Sequence, residues 1–231
     1  MKREARRIRN QSGIALIALL VLLIMAGTYA FYRYANIGFS SSQRDAKVSA
    51  TLARAKEALI ARAVTDANRP GSLPCPDVTG DGKSAMFTLT QCPAYTGWLP
   101  WVTLDLPELT DDTGTRLWYA LSPALRDDDS AQPINSDTAL TLRINGGGEI
   151  AVVIIAPRGA LPGQTRPSNN AADYLDGDNA NGDDNFVSGQ SSPSFNDMVV
   201  TITRQELMAA VEKRVANEVR ACLEEHASNT L

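Results

Sequence analysis

Two short runs of oxygen-bearing side chains are the strongest candidates for chemistry in this 231-residue sequence. In the first, DVTGDG, Asp77, Thr79 and Asp81 stand at alternate positions ahead of Gly82. That is the opening half of an EF-hand-like loop, in which alternate positions turn oxygens inward and a glycine permits the sharp bend. The acid that would close such a loop is missing, because Thr88 occupies its twelfth position. The second run, DGDNANGDD, supplies Asp176, Asp178, Asn181, Asp183 and Asp184. Hard oxygen donors at this density suit calcium, although Gly182 comes one place late for an EF-hand. Solvated polar turns held by Asx hydrogen bonds are the competing reading of both runs.

Little else in the chain can do covalent chemistry. The one histidine, His226, lies six residues from the end, so His-rich zinc sites and a Ser-His-Asp or Cys-His arrangement have almost nothing to build on. Gly146, Gly147 and Gly148 do not make a phosphate-binding P-loop, and there is no G-x-S-x-G. These observations argue against an enzyme. Trp98, Trp101, Trp118 and Tyr119 can line a groove for a sugar or peptide, or fill a core beneath a long loop.

The elements that position these residues begin with RNQSGIALIALLVLLIMAGTYAFY, residues 9–32. Residues 1–12 hold Lys2, Arg3, Arg6, Arg7 and Arg9 against Glu4 alone, so the rest of this net −4 chain is clearly acidic. An acidic body argues against sequence-independent binding of nucleic acid. From Gly13 to Tyr32 the run carries no charge. Twenty residues of helix span about 30 Å, the thickness of a bilayer's hydrocarbon core, whereas a secretory h-region needs only about 7–15. The basic flank predicts a cytoplasmic N-terminus and a body outside the inner membrane. Tyr29, Phe31, Tyr32 and Tyr34 suit the far interface. Ala30 after Thr28-Tyr29 keeps a cleaved secretory signal open.

Helix-forming sequence resumes from Gln43, with Val48, Leu52, Ala55, Leu59 and Ala63 at helical spacing. Asn68-Arg69-Pro70-Gly71 should end it. Allowing a break at residues 38–42, this predicts one helix of about 55 residues, on the order of 80 Å.

A basic leader ending in Gly13, an apolar run starting at Ile14 and a spine helix resemble a type IV pilin or a type II secretion pseudopilin. The resemblance implies cleavage after Gly13 by a prepilin peptidase, methylation of Ile14, and packing of the apolar half among other pilins or pseudopilins. Ala18 stands where most major pilins carry a glutamate at the fifth mature position, which resembles the minor members. RPGSLPCPD, GWLPW, RLWYALSP, LPGQTRP and YLDGDNANGDDNF also resemble a group of uncharacterised prepilin-like proteins. The implied organisation is a leader at 1–13, a helix at 14–69 (transmembrane 14–34, spine 35–69) and a periplasmic domain at 70–231.

Within that domain, residues 70–115 read as a turn-laden loop containing Cys75 and Cys92. In an oxidising compartment these two form a disulfide. Cys222 is left over, as a small buried hydrophobe or a cross-chain partner. Strands are predicted at RLWYALS (116–122), ALTLRI (139–144), EIAVVIIAP (149–157) and DMVVTIT (197–203). The middle two form a hairpin about residues 145–148. EIAVVIIAP is apolar on both faces and should be central. Thr203 and Glu206 make a capping box ahead of Leu207, Val211, Val215, Val219 and Leu223, a helix to about Glu225.

The expected fold is therefore α+β: a long N-terminal transmembrane and spine helix packed on a mainly antiparallel sheet, with irregular loops and a C-terminal helix. The expected function is a structural subunit of a type IV pilus or type II secretion system. Its implied partners are the inner membrane, prepilin peptidase and other pilins or pseudopilins. The alternative is a signal-anchored periplasmic module that binds glycan, peptide or an envelope protein.

Overall fold

The computed structural model describes residues 4–128, 130 and 132–229, with the side chains of 4–12 and 34–40 excepted. Lys2 and Arg3, the side chains of Arg6, Arg7 and Arg9, and the Tyr34 ring therefore lie outside the described residues. Helix α1 spans Glu4–Thr65, and its helical backbone continues through residues 38–42. The chain divides into two units, residues 1–46 and 47–231.

In the second unit, α1 ends at Thr65, ahead of the Pro70 that cannot continue it. The Asp66 carboxylate then accepts the backbone N–H groups of Asn68 at 3.0 Å and Arg69 at 2.7 Å, turning the chain. The strands are β1 (Thr96–Trp98), β2 (Trp118–Leu121), β3 (Leu142–Ile144), β4 (Gly147–Ala156), β5 (Asn185–Phe186) and β6 (Met198–Thr203). Helix α2 spans Arg204–Asn229. The fold is α+β, as its pattern of elements predicts.

The sheet is centred on β4, which pairs antiparallel with β2, β3 and β6; β1 extends it beyond β2. A short parallel pairing of β5 with β3 makes the sheet mixed. The β3–β4 hairpin turns on Asn145 and Gly146, both at positive φ, so Gly147 and Gly148 belong to the strand. Residues 70–115 are less irregular than expected, since they include β1. Neither β1 nor β5 is long enough to display a period of two.

Both faces of the sheet are covered. On one face Val48, Leu52, Ala55, Leu59 and Ala63 pack with Tyr119, Leu121, Ile154 and Ile202. On the other, Trp118, Ala120, Ile150, Val153 and Ile155 pack with Tyr174, Leu175 and Phe186. Alternation along β4 is broken at Ala151 and Val152, which both face the helix side. The register against β6 shifts between Ile150 and Val152, so a bulge accounts for the break. Each large side chain buried here contributes about 1.5–3 kcal/mol relative to exposure.

The capping box forms at the start of α2. Glu206 N–H donates to Thr203 Oγ1 at 3.2 Å, and Thr203 N–H donates to Glu206 Oε2 at 2.9 Å. Leu207, Met208 and Val211 are buried, but the stripe then emerges: Val219 is 54% and Leu223 64% exposed. Cys222 is also exposed, so the buried-hydrophobe reading of that residue does not hold. Helical spacing creates an apolar face; it does not supply anything to cover it. Arg214 ties α2 back to α1 by donating to the Val64 and Asp66 carbonyls, where unpaired acceptors at a helix end favour a cation.

Candidate functional site

The segment Gly13–Arg33 of α1 is long and apolar enough to cross a membrane, as an anchor or a signal sequence, and none of it is buried. Ile14 is 68% exposed and Phe31 74%. Within it, Thr28 returns its hydroxyl to the Ile24 and Met25 carbonyls, each at 3.0 Å. Such bonding suits an apolar surrounding, in which free hydroxyls are costly. A Cβ built at Gly13 would meet nothing within 4 Å, and the same is true of Gly27. The fold itself therefore places no steric demand for glycine at position 13.

The first acidic loop turns Asp77 inward. Its Oδ1 accepts the N–H groups of Thr79 and Gly80, both at 2.8 Å, and its Oδ2 accepts that of Gly82 at 2.7 Å. The carboxylate is thereby used to hold the turn. Gly82 has φ +81°, and a Cβ there would lie 2.5 Å from the Trp101 ring, so both backbone and space require glycine. Asp81 faces solvent and accepts the Lys83 N–H at 2.9 Å, a bond that holds its carboxyl below the usual range.

The second loop is split in the same way. Asp176 is buried, whereas Asp178, Asn181, Asp183 and Asp184 are exposed. Asn181 and Asp183 bond each other, and Asp183 also accepts the Asn185 N–H at 2.7 Å. Among the described residues, no three His, Cys, Asp or Glu side chains are grouped as a metal ion would require.

Asp176 instead joins a buried polar knot with Asp197. Asp176 Oδ2 accepts the N–H groups of Asn196 at 2.7 Å and Asp197 at 3.2 Å, while Gln164 donates to its Oδ1. Asp197 Oδ2 accepts Asp176 N–H and Asn179 Nδ2, both at 2.9 Å, and its Oδ1 is buried without a partner. Burial pushes the Asp197 carboxyl up to about 7; the nearby Asp176 charge adds to this, while bonds from Asn179 and Asp176 and the Arg166 charge oppose it. As the first residue of DMVVTIT, Asp197 reads as the edge of a strand, and no local pattern marks it.

The aromatic residues separate by strand alternation. Trp98, Trp118 and Tyr174 form one group, with ring centroids 4.3–5.7 Å apart. Tyr119 points to the opposite face, where its hydroxyl donates to the Pro74 carbonyl at 3.1 Å and burial raises its pKa well above the ordinary value. Trp101 packs over Gly82. Beside Trp98 and Tyr174, the loops carrying Gly80, Arg116 and Arg166 enclose a polar cleft of about 450 Å³. A more apolar groove of about 570 Å³ lies between Ile134 and the Val211–Val215 turn of α2.

The chain matches no protein-family model, no curated protein and no solved structure.

Cys75 and Cys92 form a disulfide with their Cα atoms 5.5 Å apart. It closes the loop that carries Asp77 and Gly82. Of the groups that sequence spacing picks out, Asp77, Asp81, Asn181 and Asp183 hold local turns, and Asp176 enters the knot. The two clefts and the Asp176–Asp197 knot arise from residues distant in sequence.

Proposed function

We propose that this chain is a membrane-anchored, pilin-like or pseudopilin-like structural subunit, a minor component of a type IV pilus or a type II secretion pseudopilus. The observation that carries the reading is the division of labour along α1. Gly13–Arg33 is apolar and unburied, while Val48, Leu52, Ala55, Leu59 and Ala63 on the same helix are the core stripe of the α+β unit. A subunit assembled through its N-terminal helix needs both features. The free space at Gly13 also agrees with a glycine retained for recognition by a peptidase rather than for packing.

The reading places cleavage after Gly13, methylation at Ile14, the N-terminus in the cytoplasm and the body in the periplasm. Its function is assembly, and no residue is assigned a catalytic role. Ala18 in place of the usual glutamate supports a minor rather than a bulk subunit, since a carboxylate in lipid requires a partner.

The test is the mass of the N-terminal peptide from membrane-extracted protein in cells with an active prepilin peptidase. The expected terminus is methylated Ile14, and Gly13→Leu should abolish the cut. An intact Met1 terminus would overturn the pilin-like reading in favour of a plain signal anchor. A binding module is the second reading, and the polar cleft beside Trp98 is the observation that favours it.

A further inference from the structure

The cleft beside Trp98 is unusual for an acidic chain: its lining includes Arg116 and Arg166 and no carboxylate side chain. The donors of Arg166 end on neutral oxygens, the carbonyls of Asp173, Arg158 and Tyr174 and the Gln164 amide, and its guanidinium lies 4.7 Å from the Tyr174 ring centroid. Asp173, a neighbouring acid, spends its carboxylate on Thr165 N–H and Ser168 Oγ. Arg116 bonds Glu108 through Nε and the Gly80 carbonyl through Nη1, which leaves Nη2 without a partner among the described residues.

A second donor meets the first at Gly80. Nε1 of Trp101 and Nε1 of Trp118 are sealed in the interior without acceptors, but Nε1 of Trp98 is not sealed and has no acceptor among the described residues. A Cβ placed on Gly80 would lie 3.1 Å from Arg116 Nη1 and 3.9 Å from Trp98 Nε1. The absent side chain keeps open a gap flanked by a guanidinium and an indole N–H. One hydrogen of Arg116 Nη1 already goes to the Gly80 carbonyl; its second hydrogen and the Trp98 N–H flank the same gap and match an oxyanion, because charge-assisted bonds to carboxylate are about twice as strong as neutral ones. Around the gap, Thr79, Thr115, Ser168 and Asn169 supply hydroxyl and amide groups. The ring faces of Trp98 and Tyr174 are largely taken up by each other, by Trp118 and by Arg166, so they form a rigid wall rather than a stacking platform.

We propose that this cleft binds an acidic saccharide unit, with its carboxylate beside Gly80 between Arg116 and the Trp98 N–H, and its hydroxyls on Asn169 and Thr79. The volume lies within the range of small-ligand sites, and the hydroxyl and amide rim suits a polyol, whereas an apolar side chain would find little to bury against. The inference does not depend on the assembly reading; a processed pilin-like subunit and a plain anchored module can both carry such a site.

The three indole N–H groups supply an internal control. Full-length protein in detergent micelles, labelled with ¹⁵N at tryptophan, is titrated with glucuronate, glucose and acetate at fixed ionic strength. Trp98→Phe identifies the Trp98 signal while keeping an aromatic ring. Glucuronate should move the Trp98 signal and leave those of Trp101 and Trp118 in place. Glucose should have no effect, and acetate should need at least about tenfold higher concentration, equivalent to about 1.4 kcal/mol. Gly80→Asn, which tolerates the positive φ of +79° and fills the gap, should abolish the response with the two buried indole signals unchanged. No movement of the Trp98 signal at about 50 mM glucuronate, a range that would detect even millimolar binding, would overturn the proposal. Equal potency of acetate would overturn the saccharide assignment and leave a bare anion site.

Discussion

Asp176 and Asp197 exchange backbone hydrogen bonds: the N–H of each donates to a carboxylate oxygen of the other, at 2.9 and 3.2 Å. The knot brings two acids into one buried site. The charged groups acting on Asp197 are Asp176, which disfavours its ionisation, and Arg166, which favours it. With its folded-state pKa raised to about 7 from 3.8, Asp197 favours the folded state when protonated. Its contribution is full below the unfolded pKa and is lost as pH rises from about 4 to about 7. The loss is on the order of a few kcal/mol. Chemical denaturation of the full chain in detergent should show this fall, and Asp197→Asn should flatten it. A wild-type profile that rises across the same window would contradict the assignment.

Asp66 and Glu206 act in the opposite sense. Burial pushes both up, but bonds from backbone N–H groups together with Arg62 or Lys56 more than offset it, and both end below their ordinary values. Their contribution is present above the unfolded pKa and is lost as pH falls through the folded one. Glu206 is half-exposed, so its share is small. It caps Thr203 and accepts Lys56 Nζ at 2.7 Å, while Lys56 also donates to the Thr201 carbonyl at 2.9 Å. Glu206→Ala should cost about 1 kcal/mol, mostly as loss of the cap. The same substitution at exposed Glu224 should cost nothing measurable by denaturant midpoint.

These features differ in how far sequence reveals them. The Val48–Ala63 stripe, the Asn145–Gly146 turn and the Thr203–Glu206 box are local: each rests on residues a few places apart, so spacing alone predicts them. The Asp176–Asp197 knot depends on three segments meeting, one carrying Gln164, one Asp176 with Asn179 and one Asn196 with Asp197, and no local spacing announces that they do. Gly80 is equally opaque in sequence, because its neighbours Arg116 and Trp98 are brought to it by the β1–β2 pairing and the Asp77–Trp98 backbone bridge. Spacing did group Trp98 with Tyr119, but the pleat sends them to opposite faces.

The stripe on α1 should be far more sensitive than that on α2. Leu59 is fully buried and Leu223 is 64% exposed. Leu59→Ala should destabilise the chain by about 2–5 kcal/mol, the usual cost of a core truncation and its cavity. Leu223→Ala should lie within about 0.5 kcal/mol of wild type in the isolated chain. A large effect at Leu223 would mean that something covers this face.

The Cys75–Cys92 bridge closes a sequence separation of 17 around a segment with little regular structure. Chain-entropy arguments give such a loop about 3 kcal/mol. Replacing both cysteines by serine should therefore lower the melting temperature by roughly 6–12 °C. Reducing agent should reproduce the shift in wild type and have no effect on the double variant. An unchanged melting temperature would mean that the segment is already ordered without its bridge.

Within that same bridged segment, Asp77 separates a structural role from a metal-dependent one. Its two oxygens hold the N–H groups of Thr79, Gly80 and Gly82, and its own backbone N–H and carbonyl pair with Trp98. Asp77→Ala removes the acceptors and leaves those three N–H groups and the Thr79 hydroxyl to find water or remain unpaired, which costs roughly 1–3 kcal/mol for each donor left buried. A cation at the carboxylate would compete with those N–H bonds for the charge on its oxygens, which already hold the turn. The variant should therefore melt lower than wild type by the same amount in millimolar calcium and in chelator. Exposed Asp81→Asn, which loses the charge but keeps an oxygen to accept the Lys83 N–H, should shift little in either. If instead calcium raises the wild-type melting temperature and Asp77→Ala abolishes that increment, the loop opens to take the ion, and Asp77 is a ligand as well as the residue that closes the turn.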